Sequence, residues 1–369
     1  MSPIRIPENY EPPTPAEELT VRSADGSRLH VEVHGRPGAP TVVLAHGWTC
    51  STAFWAPVIR ELSDRYRVVA YDQRGHGHSE IPPSRVRYST RALAEDLSAV
   101  LARTVPAGER AVLAGHSMGG MTIMAAGGRP EVAERTAAAV LISTGSSELV
   151  AELTVVPPGV RPAGLRRFLH RQLLRSRLPL GPVTPLSRAA LKYATLGPTS
   201  PAGQVEATAR IVHACPTAVR ANWAAVLDRL DVRAGLARLA APTAVVVGTD
   251  DRLTPPVLAR RIVAELTDPQ GMLLLPGVGH MSPLERPAEV AAEIHRMATE
   301  YLVGPHPGGG SVGAVPAPAA AADPTAAGAA AAGAGAGASA AGSAAGAGAG
   351  AAGGADAAAD PTDERTAVA

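Results

Sequence analysis

Ala111-Val112-Leu113-Ala114-Gly115-His116-Ser117-Met118-Gly119-Gly120, running on through Met121–Ala126, is the stretch that decides how this chain is built. The apolar run Ala111–Ala114 predicts a short strand, and Met118–Ala126 predicts a helix. Gly115–Gly119 must then turn one into the other within a few residues. So sharp a turn forces Ser117 into strained dihedrals and leaves no room for a Cβ at positions 115 and 119, where glycine stands. The strain lifts the serine hydroxyl over the end of the strand. The helix that follows offers free N–H groups and the positive end of its dipole. The pattern G-x-S-x-G alone arises by chance. Set between strand and helix, it points to a nucleophile rather than to a serine that merely caps a helix.

The surrounding chain repeats that alternation. Apolar, β-branched runs occur at Leu19–Arg22, Arg28–His34, Thr41–Ala45, Arg67–Tyr71, Ala111–Ala114, Ala138–Ile142, Thr243–Val247 and Met272–Leu275. Continuous apolar runs of this length predict strands buried on both faces. Helical stretches separate them at Thr52–Ser63, Thr90–Arg103, Ser117–Gly127, Pro256–Leu266 and Pro287–Tyr301. The expectation is an α/β fold, a mostly parallel sheet with right-handed crossovers and helices on both faces. Asp25-Gly26 between the first two runs predicts a hairpin that adds an antiparallel edge. From about residue 146 to 239 the alternation stops, and the stretch predicts a helical insertion over the carboxyl ends of the strands, where open α/β sheets bind ligands.

A serine hydroxyl needs a base near neutral pH. Of the 11 histidines, His280 alone follows a late apolar run within a glycine-flanked loop, Gly277-Val278-Gly279-His280. His30, His34, His170, His213 and His295 lack that setting, and His116 is expected to support the turn. The base needs a carboxylate to orient it. Gly248-Thr249-Asp250-Asp251 follows Thr243–Val247, in the order Ser, Asp, His. Spacing does not choose between Asp250 and Asp251. Acyl transfer also needs two N–H donors for the developing oxyanion. Met118 N–H, next to the nucleophile, supplies one. Trp48 N–H, in the loop His46-Gly47-Trp48 after Thr41–Ala45, is expected to supply the other.

These motifs resemble those of the α/β-hydrolase superfamily over roughly Leu19 to Leu302. His46-Gly47-Trp48, Gly115–Gly119, Asp251 and Gly277–His280 correspond to its oxyanion loop, nucleophile elbow, acid and base. Asp72-Gln73-Arg74-Gly75-His76-Gly77-His78-Ser79 looks like its D-x-R-G-x-G-x-S loop, chiefly structural. The resemblance implies an eight-stranded sheet and selects Asp251, the fourth residue of G-x-x-D-x-x-x-P. It implies hydrolysis of a carboxylic ester or related acyl compound, with no cofactor and no metal. Haloalkane dehalogenases and epoxide hydrolases of this superfamily carry Asp at the elbow, so Ser117 speaks against their chemistry. A cofactor-free haloperoxidase or perhydrolase uses the same triad, and a non-catalytic binder can keep the same fold; both stand as alternatives.

Composition sets the bounds. Asp323, Asp356, Asp360, Asp363 and Glu364 against Arg365 give residues 304–369 a charge of −4, so the chain's net +1 leaves +5 for the rest. Neither value suggests a nucleic-acid partner. The stretch 304–369 is almost all Ala and Gly and is expected to be a disordered tail. Removing it leaves roughly 300 residues, enough for a covered sheet. Residues 1–18, rich in Pro and acidic groups, are expected to form a loose arm that packs on the body, if it packs at all. Cys50 and Cys215 stand in no metal or redox spacing. No apolar run suggests a signal peptide or a membrane span, so a cytoplasmic location is expected. Arg161–Arg177 holds six arginines and no acid, with Leu165, Phe168, Leu169 and Leu173 at helical spacing. The expectation is a cap helix packing that apolar face over the core; the competing reading is weak contact with anionic lipid. A hydrophobic acyl or small lipid-like substrate follows, weakly, from the apolar cap.

Overall fold

The computed structural model of the chain describes residues 8–157, 159–178 and 180–303. The chain divides into two units, Met1–Gly309 and Gly310–Ala369. The expected tail 304–369 lies outside the described residues, as do the first seven residues of the arm. Eight strands of the described residues form one sheet: β1 (Glu17–Arg22), β2 (Arg28–His34), β3 (Thr41–Ala45), β4 (Arg67–Tyr71), β5 (Ala111–His116), β6 (Thr136–Ile142), β7 (Thr243–Gly248) and β8 (Pro269–Leu275). Their spatial order is β1-β2-β4-β3-β5-β6-β7-β8. From β4 to β8 all neighbours pair in parallel, and β2 runs antiparallel to both β1 and β4. The expected hairpin does form the antiparallel edge.

Alternation along the strands explains why they read as unbroken apolar runs. Val43, Val69, Leu113, Ala139, Leu141, Val245 and Val247 face one layer. Val42, Leu44, Val68, Val112, Val140, Ile142 and Val246 face the other. Side chains two apart share a face, so a strand covered on both sides must be apolar at every position. The first layer is closed by α2 (Thr90–Thr104), α3 (Met118–Ala126) and α11 (Pro256–Glu265); the second by α1 (Ala56–Leu62) and α13 (Pro287–Ala298). Ser89 begins α2 as its cap, its hydroxyl accepting from Ala92 N–H at 3.1 Å.

Between β6 and β7 lie α5 (Leu149–Glu152), α6 (Ala163–Arg175), α7 (Pro185–Thr195), α8 (Ala202–Ala214), α9 (Thr217–Leu227) and α10 (Arg233–Leu236). One expectation for this stretch is overturned. The apolar face of α6 does not pack on the core: Phe168 is 54% and Leu173 58% exposed, with Leu165 and Leu169 exposed beside them. His170 is the side chain α6 buries. Its ring accepts from Val156 N–H at 3.1 Å, so a polar group with a backbone partner takes the inward position that spacing assigned to leucines. The described part of the N-terminal arm packs on the body. Tyr10 Oη donates to Leu284 O at 3.3 Å and the Arg60 guanidinium to Glu11 O at 3.0 Å.

Candidate active site

Ser117 sits between β5 and α3 with φ 51° and ψ −116°. Left-handed φ at a residue with a Cβ is strained and persists only where the surroundings impose it. The imposition is visible. A Cβ on Gly119 would fall on the carbonyl oxygen of Ala45, at the end of β3. Glycine there lets α3 start against β3, and that close approach fixes the turn.

His280 and Asp251 come to Ser117 from two later loops. His280 Nε2 lies 3.1 Å from Ser117 Oγ, and His280 Nδ1 lies 2.9 Å from Asp251 Oδ2. All three are buried, at 7%, 5% and 2% exposure for Ser117, His280 and Asp251. A carboxylate only accepts, so the ring proton sits on Nδ1, and Nε2 of the neutral ring is left to accept from the serine hydroxyl. Asp251 is itself held: Oδ1 accepts from Leu253 N–H at 2.9 Å and Thr254 N–H at 2.8 Å, and Oδ2 accepts from Thr254 Oγ1 at 2.8 Å. Asp250, the competing carboxylate, instead accepts from Thr249 Oγ1 at 3.1 Å and is exposed-side neighbour to no histidine nitrogen in the described bonds.

The loop after β3 carries Trp48. Neither Trp48 N–H nor Met118 N–H has an acceptor among the described residues, so both donors are available beside Ser117. The loop is fixed by two buried, neutral histidines. Burial pushes His46 down to about 3 and His76 down to about 4. His46 Nε2 accepts from Gln73 N–H at 3.0 Å, so its Nδ1–H donates to Gly47 O at 2.7 Å. His76 Nε2 accepts from Thr49 N–H at 3.2 Å. The Gln73 amide donates to His46 O and accepts from Thr122 Oγ1 on α3 at 2.7 Å. The segment Asp72–Ser79 therefore works as a scaffold for the Trp48 loop.

Sequence reading gave His116 a place in the turn but not its tie to His280, and it did not single out Thr195 or Glu285. Burial holds His116 well below its ordinary value, and its Nε2–H donates to His280 O at 2.8 Å. The end of α7 reaches the same loop: Thr195 O accepts from His280 N–H at 2.9 Å and Met281 N–H at 3.1 Å. Glu285 accepts from Gly279 N–H at 3.0 Å, Gly197 N–H at 2.7 Å and Ser200 Oγ at 2.8 Å. Burial raises the Glu285 carboxyl, with those donors opposing. Thr195, Gly197 and Ser200 stand far from Gly279, His280 and Glu285 in sequence, so no local signal could have joined the two segments. His30, Asp72 and His78 bring donor atoms within 4.8 Å of one another. Both Asp72 oxygens already accept N–H groups, of Thr52 and His78 at 2.8 Å each, which accounts for that cluster as loop architecture.

Above Ser117 lies a cavity of about 420 Å³, walled by Met121 from the sheet side and by Leu149, Leu153, Leu174, Leu191 and Leu227 from the inserted segment. Arg220 of α9 is the one arginine, lysine or carboxylate side chain among its lining residues. Among the described residues no helix is long and apolar enough to cross a membrane.

The profile of the alpha/beta hydrolase family matches residues 42–293. Epoxide hydrolase A of Mycobacterium tuberculosis is 30% identical over 327 residues, covering 79% of this chain and 98% of its own. The relative named "Probable oxidoreductase EphD" in the same organism is 34% identical over 137 residues, which are 37% of this chain and 23% of that protein; the match thus spans about a quarter of that relative's length. A thermophilic esterase from Thermogutta terrifontis has the same fold, with a TM-score of 0.61 at 23% identity over 76% of this chain and 97% of its own.

Proposed function

The chain belongs to the alpha/beta hydrolase family, and from that premise we propose that it is a serine hydrolase cleaving a carboxylic ester or related acyl compound through an acyl-enzyme on Ser117. The observation that carries the reading is the unbroken chain Ser117 Oγ, His280, Asp251, with contacts of 3.1 and 2.9 Å, at the floor of an apolar cavity. Ser117 Oγ attacks the carbonyl carbon while His280 Nε2 takes its proton. Asp251 steadies the ring cation through Nδ1–H. Trp48 and Met118 N–H receive the oxyanion. His280 then protonates the departing alcohol, and a water that gives its proton to the same nitrogen releases the acid.

Epoxide hydrolase A suggests a different reaction, and chemistry weighs against carrying it over. A carboxylate that opens an oxirane leaves an ester, which water can cleave. Ser117 in the same attack would leave an ether, with no carbonyl for water to enter. Acyl substrates alone give this serine an intermediate that turns over.

The test is a panel of p-nitrophenyl esters of increasing acyl length against the full chain and Ser117→Ala. Turnover that falls by about 10⁴-fold or more in the variant is expected, the size of losing a nucleophile. Unchanged turnover in Ser117→Ala would remove the reading. Running the panel with and without peroxide separates hydrolysis from perhydrolysis.

Delivery of the substrate forms a second part of the reading. The exposed apolar face of α6 continues into Leu178 and Leu180, which are exposed and also line the cavity. Arg161, Arg167 and Arg177 are exposed around it and have no carboxylate partner among the described residues; Arg171 and Arg175 pair with Asp228. Apolar side chains ringed by free arginines fit an anionic lipid surface. The full chain is expected to sediment with phosphatidylglycerol vesicles and not with phosphatidylcholine, and Leu165→Asp/Phe168→Asp is expected to abolish it without lowering the melting temperature. Sedimentation with neither vesicle removes this part.

A further inference from the structure

Arg220 is 6% exposed and lines the cavity above Ser117. No carboxylate of the described residues lies within ion-pair distance of it, whereas the other buried arginine among them, Arg74, has Asp96 at 2.6 Å. Its Nη2 donates to two carbonyls of the loop after α6, Ser176 O at 3.5 Å and Leu178 O. Its Nε and Nη1 have no protein acceptor among the described residues. Its own carbonyl accepts from the Trp48 indole Nε1–H at 3.1 Å, which ties this stretch of α9 to the loop beside Ser117. A guanidinium cannot shed its proton to escape burial. A buried charge without a counter-charge is costly, and proteins pair it or reserve it for a ligand.

We propose that Arg220 is the anion-binding group of this cavity, and that the substrate is an ester carrying a carboxylate on one of its two parts. This rests on the reading of Ser117 as nucleophile only in making the ligand an ester; the anion site itself does not depend on it. The carbonyls of Ser176 and Leu178 hold the guanidinium through Nη2, and Nη1 or Nε is left to make a charge-assisted hydrogen bond to a carboxylate. Away from the Ser117 and His280 end the wall is mainly apolar, from Met121, Leu149, Leu153 and Leu191. A short alkyl chain ending in a carboxylate matches both features. Low surrounding polarity strengthens the contact, so a neutral isostere should be rejected by more than the loss of one hydrogen bond.

The experiment is calorimetric titration of the full chain with hexanoate and with hexanamide, repeated on Arg220→Met and Arg220→Lys. Wild type is expected to bind hexanoate about tenfold or more tightly than hexanamide, the scale of a charged hydrogen bond. That preference should vanish in Arg220→Met and partly survive in Arg220→Lys, with hexanamide affinity moving less than threefold. Equal affinity of wild type for the two ligands overturns the proposal, whatever the variants do. A loss of both ligands alike in Arg220→Met, with the preference also gone in Arg220→Lys, reduces Arg220 to a latch on the loop and equally overturns it. Labelling of Ser117 by a fluorophosphonate is scored separately. Preference for hexanoate without labelling would sink the serine-hydrolase reading and leave the anion site standing; labelling without preference would do the reverse.

Discussion

Thr254 shows how much of this site rests on single atoms. Its hydroxyl donates to Asp251 Oδ2 at 2.8 Å and sits 3.2 Å from His280 Nδ1. Removing it takes one of three non-histidine donors from the carboxylate that aims the ring. Thr254→Val keeps the shape, so kcat on a p-nitrophenyl ester is expected to fall about tenfold with KM little changed, as for one hydrogen bond in a buried network; an unaltered kcat would show that the backbone N–H groups of Leu253 and Thr254 suffice. Gly119 has no such tolerance. The added methyl of Gly119→Ala would meet backbone, the Ala45 carbonyl, which cannot rotate away. A loss of about 2 kcal/mol or more is expected in urea unfolding, together with lost activity as the Ser117 turn relaxes. Both burial-silenced thiols are expected to stay inert: burial pushes Cys215 up to about 12 and Cys50 higher still, so neither should react with iodoacetamide in the native protein.

Helices and loops carry the next layer. His280 is not positioned by its own loop alone. The end of α7 accepts two of that loop's N–H groups through Thr195 O, and Gly279 lies so close to Leu196 and Gly197 that a Cβ there would meet their backbone. Glu285 joins the two segments by accepting from Gly279, Gly197 and Ser200. The inserted helices therefore hold His280 as well as roof the cavity. Glu285→Ala leaves those donors buried without an acceptor. We expect a loss of about 2–3 kcal/mol in urea and a kcat that falls with it, because the His280 loop is freed. A stability loss with kcat intact would show that Thr195 O alone holds the base. The α6 helix behaves oppositely: its apolar side chains are exposed, so substitutions there should change what the protein binds and not how stable it is.

Taken over the described fold, buried neutral histidines make stability depend on acid. His46, His76, His116 and His170 all have folded values lowered by burial, the first two to about 3 and about 4. The unfolded chain takes up these protons near its ordinary value of about 6.5 while the folded chain does not. Their contribution is thus complete above that pH and is lost as pH falls toward their folded values. Each group adds a slope of up to about 1.4 kcal/mol per pH unit in that window. His30, raised chiefly by its bond to Glu32, opposes this in part. The melting temperature should drop steeply from pH 6.5 to 4.5; a flat profile there would show that these rings protonate in place.

The sheet, its edge hairpin, the elbow at Ser117 and the loops bearing Asp251 and His280 were legible in the chain because each depends on neighbours in sequence. A strand covered on both faces must be apolar throughout, and a strand-to-helix turn this tight must be bare of Cβ atoms. Even so, the choice of Asp251 over Asp250 came from family resemblance, since adjacent carboxylates differ only in which way the folded loop turns them. Tertiary structure alone decided the rest. It sent Leu165, Phe168, Leu169 and Leu173 to the surface while burying His170, because helical spacing defines an apolar face but not what that face meets. It brought Thr195 and His116 to the His280 loop from distant parts of the chain. It also left Arg220 inside an apolar cavity without a counter-charge, which no reading of α9 could reveal, because the absence of a partner is a property of everything packed around a residue.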